Sequence, residues 1–347
     1  MSEPHIKRTK CILLYSGGLD SILAHKVLEE QGIDVTAIRF ISPFFGSHLL
    51  NEETQEKEIK KTMESYGIKL IIKDISDEFL NVVKNPAHGY GRYLNPCIDC
   101  KIFMIKKAIQ FMNELGADFV STGEIIGQRP MSQRRDALNI IDRDSKAKGI
   151  ILRPLCAKHL IKTIPEEKGL IDREKLLSIC GRGRKEQIRL AKEYNIREYP
   201  APAGGCILTD PIISERIKKL LKIYKDFSPH DALLAQVGRQ FLIGTAWLIL
   251  GRNKGENLKI KELSEGKALI LKADSIPSPT AALFRLTNEE EIKTSAEILA
   301  RYCNIKKIQI KDGEKLSITI SISFQKNIIK KLDVTPMEAE KIEKLRL

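Results

Sequence analysis

Cys11-Ile-Leu-Leu-Tyr-Ser-Gly-Gly-Leu-Asp-Ser21 joins an apolar run to a helical pattern through two adjacent glycines. Cys11 to Tyr15 reads as a buried strand, and the stretch from Leu19 to Gln31 has the period of a helix. Gly17 and Gly18 let the chain turn tightly, so that several amides point into one concavity. The helix start adds partial positive charge, and the hydroxyls of Ser16 and Ser21 add donors, which together make a cradle for phosphate. An ordinary strand-to-helix turn needs one glycine and an N-cap, fewer than the two serines, two glycines and Asp20 found here. The segment lacks the Gly-Lys-[Ser/Thr] ending of a Walker loop and does not match Gly-x-Gly-x-x-Gly.

Outward from this loop, short apolar runs alternate with helical stretches. Val35–Phe40, Lys69–Lys73, Ala117–Val120 and Ile150–Arg153 read as further strands, with helices expected over Glu52–Tyr66 and Ile102–Leu115. Gly32, Gly67 and Gly116 stand where helix C-caps belong. Strands separated by helix-length connections imply a parallel sheet covered on both faces: an α/β fold with a five-stranded, doubly wound sheet. Ligands of such sheets bind at the carboxyl ends of the strands, which places Ser16, Ser42 and Gly123 on one rim. The pattern from Thr163 to Tyr194 is helical and basic, Pro200–Gly205 breaks any regular element, and Pro211–Tyr224 reads as a helix. After about Pro229 come short mixed elements: Phe241–Leu250, Leu258–Leu263, Ala268–Leu271 and Leu316–Phe324. The expected organisation is a nucleotide-binding domain over 1–210, a helical connector over 211–228 and an α+β domain over 229–347.

The 347 residues carry 58 Lys and Arg against 45 Asp and Glu, a net charge of +13 that suits a polyanionic partner. Residues 129–197 alone hold 18 basic and 9 acidic residues. The longest near-apolar run, Phe241–Leu250, is far short of the ~20 residues a membrane helix needs, so no membrane association is expected. The N-terminus has no apolar signal segment, and a reducing cytoplasm is the expected location. In that setting seven cysteines point to metal or sulfur chemistry and not to disulfides.

The Ser16-Gly-Gly-Leu-Asp-Ser21 loop resembles the PP-loop of the ATP pyrophosphatase family, which has an adenine nucleotide α-hydrolase-like fold. Its members cleave ATP between the α and β phosphates and use AMP to activate a carbonyl oxygen. The resemblance implies that Ser16, Gly17, Gly18 and Ser21 hold pyrophosphate and that Asp20 helps to hold Mg²⁺. It also implies that Phe40 and Ser42, after the second strand, contact adenine. A second segment, Ser121-Thr-Gly-Glu-Ile-Ile-Gly-Gln-Arg-Pro-Met-Ser-Gln133, is similar to the Thr-Gly-Glu…Gly-Gln…Ser-Gln run of 4-thiouridine synthetases, with Gly123 and Gln128 at the nucleotide. Ile151-Leu-Arg-Pro-Leu155 resembles the turn after the next strand in that group. The resemblance covers roughly residues 8–210. The N-terminal RNA-binding extension and the rhodanese-like domain of those synthetases are not evident in this sequence.

Asn95-Pro-Cys-Ile-Asp-Cys-Lys101 places two cysteines three residues apart at a helix start, where the helix dipole is expected to lower their pKa. Cys206 follows the glycine-hinged segment. Cys11 and Cys303 read as core residues, and Cys156 and Cys180 as structural. A zinc site wants a fourth ligand that the sequence does not offer. A persulfide carrier with a resolving thiol, and a [4Fe–4S] cluster on Cys97, Cys100 and Cys206, are both consistent with the trio. The doublet plus a distant single cysteine resembles the cluster-dependent tRNA thiolation enzymes more closely.

Gly238-Arg-Gln-Phe-Leu-Ile-Gly244 and Leu250-Gly-Arg-Asn-Lys-Gly-Glu-Asn257 resemble the Gly-Arg-Asn…Asn signature of the RNA-binding domain of NFACT proteins. The expected function is ATP-dependent tRNA uridine thiolation with Asp20, Cys97, Cys100 and Cys206 in the chemistry. ATP, Mg²⁺ and a [4Fe–4S] cluster are the expected cofactors; tRNA, a sulfur donor and a second copy of the chain are the expected partners. An amidotransferase or ligase acting on a small metabolite, and an RNA-binding protein with a relic nucleotide loop, are the competing classes.

Overall fold

A computed structural model describes residues 8–201, 206–304 and 316–347. The chain divides into two compact units, residues 1–210 and 211–347. The N-terminal residues read for a signal, and Pro202–Gly205 of the expected hinge, lie outside the described residues.

In the first unit β1 (Lys10–Leu14), β2 (Asp34–Ile41), β3 (Lys69–Asp74), β4 (Phe119–Thr122) and β5 (Ile151–Leu152) form one parallel sheet in the order β3-β2-β1-β4-β5. This is the five-stranded doubly wound architecture expected. Between the strands run α1 (Leu19–Glu29), α2 (Glu52–Tyr66), α3 (Ser76–Lys84), α4 (Cys97–Glu114) and α5 (Arg135–Asp144). α6 (Ile164–Glu167) and α7 (Lys185–Glu193) follow β5. The strand order reverses between β1 and β4, and the crevice at such a reversal is where a ligand enters the fold. Leu13, Leu23, Ala37 and Phe119 are fully buried in the larger of its cores.

Local chemistry sets the element boundaries. Asn51 caps α2 by accepting the Glu53 amide at 2.9 Å, and Gly67 ends it at φ +71°. β4 starts two residues later than the apolar run suggests, and at its entrance the Lys10 amide donates to the Asp118 carboxylate at 2.8 Å. α4 begins at Cys97 itself, five residues before the expected start, so both cysteines lie in its first turn. The basic pattern over 163–194 is not one helix. Gly169 (φ +65°) ends α6 and Gly181 (φ +80°) precedes α7; left-handed backbone cannot continue a helix.

The second unit comprises α8 (Pro211–Ile223), α9 (Pro229–Leu234), β6 (Arg239–Ile243), β7 (Ala246–Leu250), α10 (Lys254–Ser264), β8 (Leu269–Ala273), β9 (Ala281–Phe284), α11 (Glu289–Arg301), β10 (Ile318–Phe324), β11 (Asn327–Val334) and α12 (Ala339–Leu345). Its sheet is antiparallel in the order β11-β10-β8-β9-β7-β6. The apolar run Phe241–Leu250 is thus a hairpin, turned at Gly244 (φ +59°). Ile292, Ala296 and Leu299 of α11 bury against the sheet. No described helix is long and apolar enough to cross a membrane.

Candidate active site

The loop between β1 and α1 is braced from within. Ser21 is 2% exposed, and its hydroxyl donates to the Gly18 carbonyl at 2.7 Å and lies 3.3 Å from Ser16 Oγ. The Gly18 amide donates to Ser16 Oγ at 3.3 Å. Gly17 holds φ +80°, a conformation side chains rarely adopt. The Ser16 side is open to solvent, and the first amides of α1 have no partner inside the helix.

β4 closes the other side of the crevice. A Cβ at Gly123 would stand 2.6 Å from the Asp20 carbonyl oxygen and 2.8 Å from the Ser21 amide, so glycine alone fits where the strand end meets α1. Gln128 Nε2 donates to Asp20 Oδ2 at 3.0 Å, while Asp20 Oδ1 is buried without a hydrogen-bond partner. An unpartnered buried carboxylate oxygen is costly and fits a cation or donor that arrives with a ligand. Ser16, Gly17, Gly18, Asp20, Ser21, Gly123 and Gln128 therefore converge. Phe40 and Ser42 stand differently. Phe40 is 6% exposed with its ring 6.2 Å from Phe111, and Ser42 is fully buried, its Oγ accepting the Phe44 amide at 3.2 Å. Both side chains are engaged in packing and in a turn.

The thiols of Cys97, Cys100 and Cys206 act on one another. Burial pushes Cys100 up to about 12; Lys101 opposes this, and the charges of Cys206 and Cys97 add to it. Cys206 is pushed up to about 11 by burial, with Cys97 contributing, and its Sγ donates to the Phe44 carbonyl at 3.6 Å. Burial also raises Cys97, against Lys101, Arg129 and a hydrogen bond from Asn95. The expected lowering by the helix dipole is thus outweighed by desolvation, which disfavours a bare thiolate. In donor type alone, three cysteine sulfurs match an iron–sulfur ligand set. Among the described residues no group of three or more His, Cys, Asp and Glu has the geometry to hold a metal ion. Cys11, Cys156 and Cys303 are buried, and Cys180 is exposed.

Charge pairing that sequence reading missed connects the two halves of the site. Glu124 is buried; burial alone would raise its carboxyl, but Lys101 and Arg153 outweigh it and hold the group at about 2. Arg153 Nε donates to Glu124 at 3.1 Å and its Nη atoms grip Asp142 at 2.9 and 2.6 Å, while Lys101 Nζ stands 3.2 Å from Glu124. Lys101, directly after Cys100, is thereby anchored to the strand end that abuts Asp20. Asp99, inside the Cys-x-x-Cys turn, accepts the Ala87 and His88 amides at 3.1 and 3.0 Å, and His88 also bridges to Asp144 at 2.9 Å. The Thr-Gly-Glu and Arg-Pro signatures were visible, but only their proximity reveals the network.

In the second unit the signature residues build a turn. Asn253 caps α10 by accepting the Glu256 amide at 2.9 Å, Arg252 Nε donates to Glu256 at 2.9 Å, and Asn257 accepts the Thr280 amide at 2.9 Å. A Cβ at Gly251 would collide with Asn257.

Residues 7–169 match the family model of the thiamine biosynthesis protein (ThiI), and residues 238–346 match that of the NFACT protein RNA binding domain. Curated relatives include the tRNA-specific 2-thiouridylase MnmA of Sulfurimonas denitrificans, 31% identical over 34% of this chain and 35% of that protein. The corresponding protein of Limosilactobacillus reuteri is 26% identical over 57% of each chain. The chain thus spans about a third to just over half the length of these relatives. Among solved structures, a 4-thiouridine synthetase–RNA complex with bound ATP aligns at TM-score 0.34 and 19% identity, covering 54% of this chain and 52% of that one. The U34-tRNA thiolase NcsA of Methanococcus maripaludis with its [4Fe-4S] cluster aligns at TM-score 0.32 and 19% identity, covering 67% and 73%. The resemblance read from the loop at 16–21, the Thr-Gly-Glu run and the Gly-Arg-Asn…Asn signature is borne out: the first unit is related to the PP-loop tRNA-thiolation proteins and the second to the NFACT RNA-binding domain.

Proposed function

We propose that the protein is an ATP-dependent tRNA sulfurtransferase that adenylates a uridine carbonyl oxygen and then replaces that oxygen with sulfur. One observation carries this reading: the run 123–128 adjoins both parts of the site. Gly123 abuts Asp20, Gln128 holds its carboxylate, and Glu124 pairs at 3.2 Å with Lys101, the residue after Cys100.

In this reading the loop at 16–21 receives the β and γ phosphates, whose charge the amides and the α1 dipole favour. Asp20, oriented by Gln128, would hold Mg²⁺ through its unpartnered oxygen, and the ion would supply neutralising charge on the phosphates. The uridine oxygen attacks the α-phosphorus and pyrophosphate leaves with the electrons of the broken P–O bond. The oxygen now belongs to an adenylate, a far better leaving group. Sulfur at the oxidation level of sulfide attacks the activated ring carbon, and AMP departs with the oxygen. Cys97, Cys100 and Cys206 would hold a [4Fe–4S] cluster, which when bound supplies an open coordination position for the sulfur donor. A persulfide on Cys206 is the second reading: its outer sulfur would attack the activated ring carbon, and Cys97 or Cys100 would then displace the product and form a disulfide with Cys206, which a dithiol reductant must reduce before the next turnover. Iron and acid-labile sulfide analysis after anaerobic purification separates the two.

The RNA backbone would lie on cations left free by the fold. Arg182 and Lys185 are exposed and have no ion pair among the described residues, and the second unit adds an RNA-binding family domain. Such a grip is independent of sequence and weakens with salt. The decisive experiment is mass spectrometry of tRNA nucleosides from cells lacking the gene. Loss of a thiolated uridine, restored by the wild-type gene, is expected; an unchanged nucleoside profile overturns the reading.

A further inference from the structure

Beneath the phosphate loop lies a cation that no motif announces. A Cβ built on Gly17 would stand 3.0 Å from Nη1 of Arg39, 3.2 Å from its Cζ and 3.4 Å from its Nη2. The guanidinium of this β2 residue therefore lies against Gly17, where a side chain would otherwise stand. Its side chain is 14% exposed, and Nη1 donates to Glu58 of α2 at 2.5 Å. Gly17 and Glu58 also border a cavity of about 230 Å³ with Tyr15, Thr62 and Tyr66, so the carboxylate that holds Arg39 adjoins open space beside the loop.

The position is unusual for a charge. Ile38, Phe40 and Ile41, its neighbours on β2, are all buried, as expected of a strand covered on both faces. Replacing an ion pair in such a position by apolar residues of similar size is often neutral or stabilising, so stability alone is a weak reason for the arginine. Arginine keeps its charge at any physiological pH and presents five donors, of which the Glu58 contact occupies one.

We propose that Arg39 is a positioning residue of the phosphate site: it places permanent positive charge directly behind the loop, favouring the pyrophosphate half of the nucleotide, while Glu58 holds it there and tempers its field. This rests on the reading that residues 16–21 bind the phosphates of ATP. It assigns opposite signs to the two partners. Arg39 strengthens the hold on pyrophosphate, and the Glu58 carboxylate opposes that hold. It also concerns the phosphate end alone, because AMP leaves the pyrophosphate position empty.

Isothermal titration of the full chain with Mg²⁺-pyrophosphate, Mg²⁺-ATP and AMP tests this. Arg39→Gln is expected to weaken pyrophosphate and ATP about tenfold while leaving AMP within about twofold, the scale of one charge-assisted contact. Arg39→Lys, which keeps the charge, is expected to retain most of the affinity, and Glu58→Gln to bind pyrophosphate as tightly as wild type or more tightly. AMP weakened as much as pyrophosphate in Arg39→Gln, or pyrophosphate weakened by Glu58→Gln, overturns the proposal in favour of a structural brace. Should Arg39→Gln not fold, the sign of the Glu58→Gln effect decides. Ser16→Ala separates this inference from the reading beneath it. Pyrophosphate binding that needs Ser16 but not Arg39 defeats the inference alone, whereas binding indifferent to Ser16 defeats the phosphate site itself.

Discussion

Gln128 Nε2 and Asp20 Oδ2 meet at 3.0 Å across 108 residues of sequence, and the other oxygen of the same carboxylate is buried with no partner. One side chain is thus oriented by its neighbour and left incomplete at its working end. In a folded protein an unmet buried acceptor is rare and costs about 1–3 kcal/mol, a cost that a bound cation removes.

Asp20→Asn keeps the shape and the contact to Gln128 but removes the charge. ATP–pyrophosphate exchange is expected to fall about 100-fold or more, the scale of losing one preorganised electrostatic group from an active site. Thermal stability should be unchanged or slightly improved. Exchange at the wild-type rate would remove Asp20 from the chemistry.

Cys206→Ala is expected to leave ATP–pyrophosphate exchange intact and to abolish thiolation of tRNA. The two assays run on one preparation separate activation from sulfur transfer. Thiolation at the wild-type rate would exclude Cys206 from the sulfur centre.

Gly123→Ala forces a methyl group to within 2.6 Å of the Asp20 carbonyl oxygen. Backbone on both sides leaves no flexible group to yield, so an overpacking cost of about 1–3 kcal/mol is expected. Urea denaturation measures it. Exchange activity should fall together with stability, since the displaced backbone carries the loop.

Glu124→Gln removes a buried charge between Lys101 and Arg153. Loss of this partner is expected to cost less than the ~3–5 kcal/mol of a fully buried broken pair, because Arg153 keeps Asp142 and Lys101 is partly exposed. The pH dependence follows from the direction of the shift. A carboxyl held at about 2 in the fold, against an ordinary 4.5, contributes its stability above the unfolded value and loses it as pH falls through the folded one. Wild type should therefore lose stability more steeply than the variant between about pH 4.5 and pH 2, as read by denaturant midpoints.

His88 carries the opposite sign. Its hydrogen bond to Asp99 raises it against a smaller effect of burial, with Asp144 adding to the rise. The stabilisation is complete below the ordinary histidine value of 6.5 and disappears as pH rises through the raised value in the fold. His88→Gln is expected to lower the unfolding midpoint at pH 6 and to have little effect at pH 9. An equal loss at both pH values would mean that the ring contributes only packing.

Sequence alone carried the first unit far, because its signals are local. Strand-forming runs, helix periods and capping glycines depend on a few neighbouring residues, and Gly32, Gly67 and Gly116 all hold left-handed backbone where the helices end. The errors were local in origin too. The expected start at Ile102 falls after the observed start of α4 at Cys97 because the polar Cys-Ile-Asp-Cys turn hides its helical character, and the helical period over 163–194 is interrupted by Gly169 and Gly181.

The order of motifs along the chain determined that a glycine-bent turn opens α1, that a Cys-x-x-Cys pair stands before β4, and that a domain similar to the NFACT RNA-binding domain follows. Only the tertiary structure decided which charges meet. Arg39 beneath Gly17, Gln128 on Asp20, and Glu124 between Lys101 and Arg153 join residues from different strands and helices. Burial decided the state of the thiols as well, since desolvation depends on what surrounds a sulfur in space and leaves no mark in the residues beside it in sequence.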